Sequence, residues 1–362
     1  MRRPVRLPPS GLSLVLLLHS AAGLAVLGAA RTVLGGQTSA APKLPPVCSP
    51  CIRGEMSYLA SDELRGRGSA TRDEGLAALY AASLFEGFGL EPGGAPGGGP
   101  DRADGFVFDG FIQRVPLPNP LPAYAVTELR GFEAAPRNQT SNVVGILPGA
   151  DPKLRSQIVL ITAHLDHLGV GPAIHGDSIY NGADDDASGT TAVIELARML
   201  SRAKRPRRTV AFVLFGSEEL GGLGSRYFFD HPPFALDKIV ANLEFEMIGR
   251  PDPLARASLW LSGYRRSDLG AALVRHGAPL IPDPHPEQHF FRRSDNYDLA
   301  RRGVVAQTIS SFGLHRDYHQ PSDDLSRIDF PHLDFAIAAM EPPMAWLANT
   351  DWSPKWTLGG RP

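Results

Sequence analysis

The sequence predicts an α/β fold, a three-layer sandwich in which a mixed, mostly parallel sheet lies between helices. Three observations predict it. Two short continuous apolar runs, 157–162 (QIVLIT) and Thr209–Phe215 (TVAFVLF), have the length and β-branched content of strands buried on both faces. Helix-like and strand-like segments alternate along the chain, the pattern of parallel strands joined through helices. Finally, 362 residues of which 43% are hydrophobic supply a core for one large domain or two small ones.

Each element follows from local pattern. The stretch 56–89 reads as helix in two pieces. Within it, 74–88 carries Leu76, Leu79, Tyr80, Ala82, Leu84 and Phe85 on one broad face before Gly87 and Gly89 stop it. The run 93–99 (GGAPGGG) is a flexible loop. Strand-like segments follow at 106–115, 141–146 and 157–162, then a helix at 191–200 and the strand Thr209–Phe215. Further strands are expected at 239–244, 258–261 and 304–309, with helices at 266–276 and 333–347. In a sheet of this kind, sites collect at the C-terminal ends of the strands. There is no internal repeat.

The N-terminus stands apart from that fold. Arg2, Arg3 and Arg6 precede a nearly apolar run at 11–30 that ends in Gly28, Ala29 and Ala30. This is the pattern of a secretory signal peptide, and the run is also long enough to serve as an uncleaved N-terminal membrane anchor. Either way the rest is expected to be exported, to a periplasmic or extracellular space. Residues 31–47, rich in Ala, Pro, Gly and Thr, read as a linker, leaving 48–362 as a single domain. Cys48 and Cys51 are the only cysteines, and their C-x-x-C spacing fits a redox pair, half a zinc site or a local disulfide. No further ligand pair follows them, and in an exported chain a disulfide fits best. Asn138-Gln139-Thr140 matches a glycosylation triplet, which is frequent by chance. A net charge of −2 without a basic face argues against nucleic acid as a partner, and the basic stretch 202–208 reads as a solvated turn.

Five clusters carry the chemistry. Ala163-His164-Leu165-Asp166-His167 follows the QIVLIT strand, and a carboxylate two residues beyond a histidine can orient its imidazole. Gly182-Ala183-Asp184-Asp185-Asp186 precedes a helix. Three adjacent carboxylates suit either a solvated helix N-terminus or an enclosed cation, and the flanking glycines and apolar strands favour the cation. Ser217-Glu218-Glu219 follows the TVAFVLF strand, where one glutamate can bind metal while the other stays free as a base. Glu244 and Glu246 alternate in an apolar strand, so both are expected on one face. Tyr318-His319 sits in a turn-like segment after the strand at 304–309. Read singly, each fits an ordinary structural role. Together they offer imidazoles and carboxylates beside successive strands or turns, a set suited to zinc.

This arrangement resembles the co-catalytic dizinc aminopeptidase family, which includes secreted bacterial aminopeptidases, glutamate carboxypeptidases and glutaminyl cyclases. The resemblance runs from about residue 52 to about residue 347. It includes an opening stretch at 58–68 and, in order, His164 to Asp166, Gly182 to Asp186, Ser217 to Glu219, Asn242 to Gly249 and Tyr318 to Asp323. It implies two Zn2+ ions per chain bridged by Asp185, with His164 and Glu246 completing one and Glu219 and His319 the other. It also implies Glu218 as general base, Asp166 orienting His164, a cis peptide after Asp185, and peptide substrates cut at the amino terminus. Two divalent ions against three carboxylates and a bridging hydroxide leave such a site near neutral, so it can be enclosed.

The chain departs from the family in three places. Relatives mostly carry Asp at the Glu246 position. They often read Ser-Asp-His where this chain has Ser294-Asp295-Asn296, which leaves substrate preference open. The span 106–160 is too short for the protease-associated insert of larger relatives. Phe290, Phe291 and Tyr297 are candidates to line a side-chain pocket or to pack ordinarily. A carboxypeptidase would need cations for the substrate carboxylate, and Arg292, Arg293 and Arg316 are candidates. A glutaminyl cyclase with one zinc, or an inactive receptor-like relative lacking ligands, fits the retained residues less well. No oligomeric state is implied.

Overall fold

A strand buried on both faces needs a neighbour on each side and helices above and below. The computed structural model, which describes residues 46–94, 110–135 and 137–362, supplies both. In chain order the elements are α1 (Ser49–Leu59), α2 (Arg72–Gly87), β1 (Glu91–Pro92), β2 (Ile112–Pro116), α3 (Ala123–Glu128), β3 (Gln139–Leu147) and β4 (Ile158–His164). There follow β5 (Gly169–Ile174), β6 (Asp177–Tyr180), α4 (Gly189–Arg202), β7 (Thr209–Phe215), α5 (Leu223–Asp230) and β8 (Ile239–Phe245). The last are β9 (Leu259–Leu261), α6 (Leu269–Arg275), β10 (Leu280–Pro282), α7 (Asn296–Arg301), β11 (Ala306–Ser310) and α8 (Phe330–Asn349).

Among the described residues the main sheet runs β1-β3-β7-β4-β8-β11-β9-β10, with β2 also paired to β3. Its centre is parallel: β4 pairs with β7 and β8, and β11 with β8, all in the same direction. The flanks bring antiparallel pairings, β3 on β7 and β9 on β11. Every residue of β4 and β7 is buried, which is why both appear in the sequence as unbroken apolar runs. On one face, residues of α1, α2, α4 and α8 join the main core, for example Met56, Phe85, Leu196 and Met340. On the other, Phe228 and Phe229 of α5 and Leu299 of α7 pack on Val213 and Phe215. These are the three layers expected.

The β5–β6 hairpin, the short strands β1 and β10 and the short helices α3, α5 and α7 are absent from the sequence-based expectation. The hairpin sequence GVGPAIHGDSIY is so rich in turn formers that it carries no strand pattern. The N-terminal leader, the linker up to residue 45, the tract 95–99 and residues 106–109 lie outside the described residues. Among those described, no helix is long and apolar enough to cross a membrane.

Where the chain enters the domain, Cys48 and Cys51 are joined by a disulfide. The Cys48 N–H donates to Glu195 of α4 (2.6 Å), and Arg198 both pairs with Glu195 and donates to the Pro46 carbonyl. Glu55 of α1 lies against this pair with Oε2 buried and unpartnered. Burial, then Glu195, pushes its pKa up to about 8. Folding therefore takes up a proton between the unfolded value of 4.5 and about 8, and that part of the stability is lost as pH rises through this window. Glu55→Gln is expected to raise the melting temperature at pH 8.5, by roughly 2–4 kcal/mol of stability, and to change little at pH 5. Thermal melts of both proteins at the two pH values check this; an equal shift at both would rule out the titration.

Candidate metal centre

The adjacent parallel strands β7, β4, β8 and β11 end along one edge of the sheet, and each delivers a polar group there. β4 closes on His164, and β8 is followed directly by Glu246. β7 leads into Gly216 and Ser217 and then Glu218 and Glu219, while the loop after β11 brings His319 back to the same edge. Asp185 comes from the turn ahead of α4. His164 Nε2 lies 3.0 Å from Asp185 Oδ1, and His319 Nε2 lies 3.3 Å from Asp185 Oδ2 and 3.2 Å from Glu219 Oε2. Ligand atoms of His164, Asp185 and Glu219 all fall within 4.8 Å of one another. Glu218 and Glu246 line the same cleft.

The three consecutive aspartates divide their work by backbone direction. Asp184 Oδ1 accepts from the Gly249 N–H (2.7 Å), and Asp186 Oδ1 accepts from Gly189 and Met247. Both therefore tie the turn to the loop that carries Glu246, and only Asp185 faces the cleft. Asp323 in turn accepts from the Asp184 and Asp185 N–H groups. The Asp185–Asp186 peptide is cis, as the resemblance implies. Gly182 enters the turn at φ 60°, and a Cβ there would stand 2.1 Å from the Asp185 carbonyl oxygen. Ser217, Met247 and His319 also have positive φ (54°, 51° and 55°), a costly backbone state for a residue with a side chain. Arg67, fully buried, donates to the carbonyls of Leu59, Leu165, Asn181 and Gly182 and so fastens two of the loops together.

Asp166 stands beside His164 but reaches further. Its carboxylate accepts the Glu218 N–H (2.9 Å), the Glu219 N–H (3.3 Å) and the Ser69 hydroxyl. The His164 ring is instead met by the Asp166 main-chain carbonyl, 3.1 Å from Nδ1, with the nearest carboxylate oxygen at 3.8 Å. The side chain holds the glutamate loop more than it holds the imidazole. Two residues to which the sequence assigns no role share this task. His167 Nδ1 is 2.8 Å from Glu219 Oε1, on the side opposite His319. Glu74, buried in the first turn of α2, accepts from Ala70 N, Thr140 Oγ1 and Ser217 N. The pattern Thr71-x-x-Glu74 is that of a capping box, but only the Thr71 half serves the helix; the glutamate reaches across to the loop. Glu74→Ala leaves the Ser217 N–H buried and unpaired. It is expected to cost roughly 2–4 kcal/mol of stability and about 10- to 100-fold in kcat, with KM nearly unchanged. Parallel melts and kinetics check both.

Imidazoles and carboxylates balance one another at this edge. Burial would raise Glu219, yet His319, with hydrogen bonds from His167, holds it at about 2. Asp185 is likewise held well below its ordinary value by His164 and His319, against its burial. The same pairings raise His319 to about 11 despite burial. In this state protonated imidazoles supply the positive charge. Burial raises Glu218 and Glu246 although His164 opposes it, and neighbouring acids add to the rise. Divalent ions at this edge would free the imidazole nitrogens to act as donors and let the remaining carboxylates ionise, and the mixed imidazole–carboxylate set fits zinc. Among the described residues no hydrogen bond ties down the Glu218 carboxylate.

The cleft opens to solvent beside these groups. Trp260 and Phe312 are its buried aromatic walls, and Phe290 stacks on Trp260 at 5.1 Å. Of the pocket candidates, Phe290 lines it, Phe291 packs in the core against Tyr297, and Tyr297 faces an adjoining cleft. Among the arginines only Arg293 lines it. Glu244 does not share the cleft with Glu246, because β8 ends between them; its Oε2 accepts the Asn296 N–H at the start of α7.

Comparison with known proteins gives a consistent answer. A family model described as Peptidase family M28 matches residues 142–340, more than half of the chain. Aminopeptidase YwaD of Bacillus subtilis is 36% identical over 127 residues, which are 34% of this chain and 25% of that protein. The match thus spans about a quarter of that relative's length. Among solved structures, a zinc aminopeptidase from Bacillus subtilis superposes with a TM-score of 0.60 at 16% identity, over 84% of this chain and 96% of that one. A Porphyromonas gingivalis glutaminyl cyclase gives 0.58 at 16% identity, over 82% and 98%. The two structural likenesses establish the shared fold.

Proposed function

The chain belongs to peptidase family M28, and on that premise we propose that it is a zinc metallopeptidase that removes amino-terminal residues from peptides. The observation that carries this reading is the meeting of His164, Asp185 and Glu219, beside His319, Glu246 and Glu218, whose carboxylate has no hydrogen-bond partner among the described residues. Asp185 offers one oxygen toward His164 and the other toward His319, so it is the residue to bridge two ions. His164 and Glu246 would complete one ion, Glu219 and His319 the other. Bound zinc supplies an activated water and a polarised carbonyl.

The chain's own groups do the rest. Glu218 takes the proton from the attacking water on its carboxylate and delivers it to the leaving amine nitrogen, so that the amide C–N bond breaks as the new C–O bond stands. Asp166 and Glu74 hold the main chain of 217–219 so that the carboxylate keeps its place. The Trp260–Phe312 pocket receives an apolar side chain next to the scissile bond and excludes water from it. Export is part of the same reading, supported by the leader pattern at 1–30 and the Cys48–Cys51 disulfide. The region 48–362 acts as one catalytic domain.

The test is a zinc count combined with a substrate panel: free aminoacyl peptides, N-blocked peptides, blocked dipeptides with a free C-terminus, and an N-terminal glutaminyl peptide. Two zinc ions and release of free N-terminal residues are expected. Cleavage of N-blocked peptides alone would replace the aminopeptidase reading with a carboxypeptidase. One zinc with pyroglutamate formation would replace it with a cyclase.

A further inference from the structure

We infer that Arg293 receives a carboxylate carried by the substrate, which makes short, anionic peptides the preferred substrates of this site. The inference rests on the peptidase reading for the identity of the ligand, but not for the chemistry of the contact. Among the described residues, Arg293 is the one lysine or arginine lining the cleft that holds Glu218, Glu219 and Glu246. It also lines the adjoining cleft beside Asp295, so it stands between the two. It is exposed, whereas Trp260 and Phe312 are buried, which puts the guanidinium at the mouth and the aromatic walls at the floor.

Two nearby arginines are in ion pairs, and among the described residues Arg293 is in none. Arg250 bonds Asp317 at 2.7 Å and Arg226 bonds Asp298 at 3.1 Å. Arg293 is held by aromatic groups: its guanidinium lies 5.0 Å from the Phe290 ring centre and 6.0 Å from that of Tyr318, with Nη2 3.4 Å from Tyr318 Oη, and the Glu246 carboxylate below feels its charge without an ion pair. Aromatic faces hold a guanidinium in place without neutralising it or using up its fork of donors. Once cations balance the carboxylates below, Arg293 remains as uncompensated positive charge at the entrance. A planar fork held at a fixed position is suited to bidentate recognition of a carboxylate. Two substrate groups carry that chemistry: the C-terminal carboxylate of a di- or tripeptide, and an acidic side chain.

The experiment measures binding to the zinc-loaded Glu218→Gln protein by calorimetry, beside turnover by the parent. Leu-Gly is compared with Leu-Gly amide, and amidated peptides carrying Glu are compared with their Gln counterparts at the first and second positions. At least one carboxylate-bearing member is expected to bind about tenfold more tightly than its neutral partner, and the pair that shows the gap identifies the source. Arg293→Gln should bring that ratio to within about twofold of unity, and Arg293→Lys should retain part of it. Ratios near unity for every pair, or a gap that survives in Arg293→Gln, would overturn the inference. If the peptides bind with the expected gap but the parent cleaves none of them, the peptidase reading fails while the role of Arg293 stands.

Discussion

Glu218→Gln is expected to bind zinc as the parent does and to lose on the order of 10³-fold or more in kcat. The reason is the division of labour between two adjacent glutamates. Glu219 is engaged on both oxygens, by His167 at 2.8 Å and by His319 at 3.2 Å, and belongs to the cluster able to hold a metal. The Glu218 side chain lies in the same cleft without a hydrogen-bond partner among the described residues, while its N–H is fixed by Asp166. An amide of the same shape keeps the packing and the loop but cannot accept and return a proton, and general acid–base transfer alone is worth about 10²–10⁴-fold. The measurement is zinc content by elemental analysis together with kcat and KM on an aminoacyl substrate. Loss of metal in this variant would move Glu218 into the ligand set, and more than about a tenth of parental kcat would remove it from the mechanism. Glu219→Gln provides the contrast, since there the loss of activity should come with a loss of zinc affinity.

The difference between those two glutamates also marks what the sequence could tell. Strands β4 and β7 were legible because residues buried on both faces are mostly apolar, and the unbroken apolar stretches 158–161 and 210–215 stand out as central strands. The five clusters were legible because histidines and carboxylates directly after such runs stand out against their surroundings. What stayed hidden depends on partners far away in the chain. Glu74 reads as an ordinary first-turn acid of a helix, and its bond to the Ser217 N–H spans 143 positions. Nothing in a residue type announces that its partner is a main-chain N–H. Asp166 was assigned to the nearest titratable group in sequence, His164, yet in space its carboxylate is taken by two N–H groups of the next strand's loop. Asp184, Asp185 and Asp186 are chemically identical, and only the path of the backbone decides that the flanking two bind loops while the middle one faces the cleft. Glu246 escaped its expected pairing with Glu244 for a related reason: strand alternation holds only while the strand continues, and β8 stops at Phe245.

Asp185→Asn should have the second large effect, and by a different route. Its two oxygens face His164 and His319, which arrive from different strands, so this one carboxylate joins both halves of the ligand set. An amide offers one neutral oxygen and a nitrogen that cannot coordinate, so the variant is expected to hold at most one zinc and to lose on the order of 10³-fold or more in kcat. The fold should survive, because the turn is anchored by Asp184 on Gly249, by Asp186 on Met247 and by Asp323 on the turn's own N–H groups, none of which involves the Asp185 side chain. In the absence of metal the variant should melt lower than the parent, because the Asp185 carboxylate is paired there with His164 and His319. Zinc then separates the two proteins. A ligand that binds only the folded state adds RT ln(1 + [L]/Kd) to stability, about 4 kcal/mol at a thousandfold excess over Kd. The parent should therefore gain markedly in melting temperature on zinc addition, and Asp185→Asn much less. Equal gains, with two zinc ions retained in the variant, would show that Asp185 does not bridge, and the assignment of the two ions to His164 with Glu246 and to Glu219 with His319 would have to be redrawn.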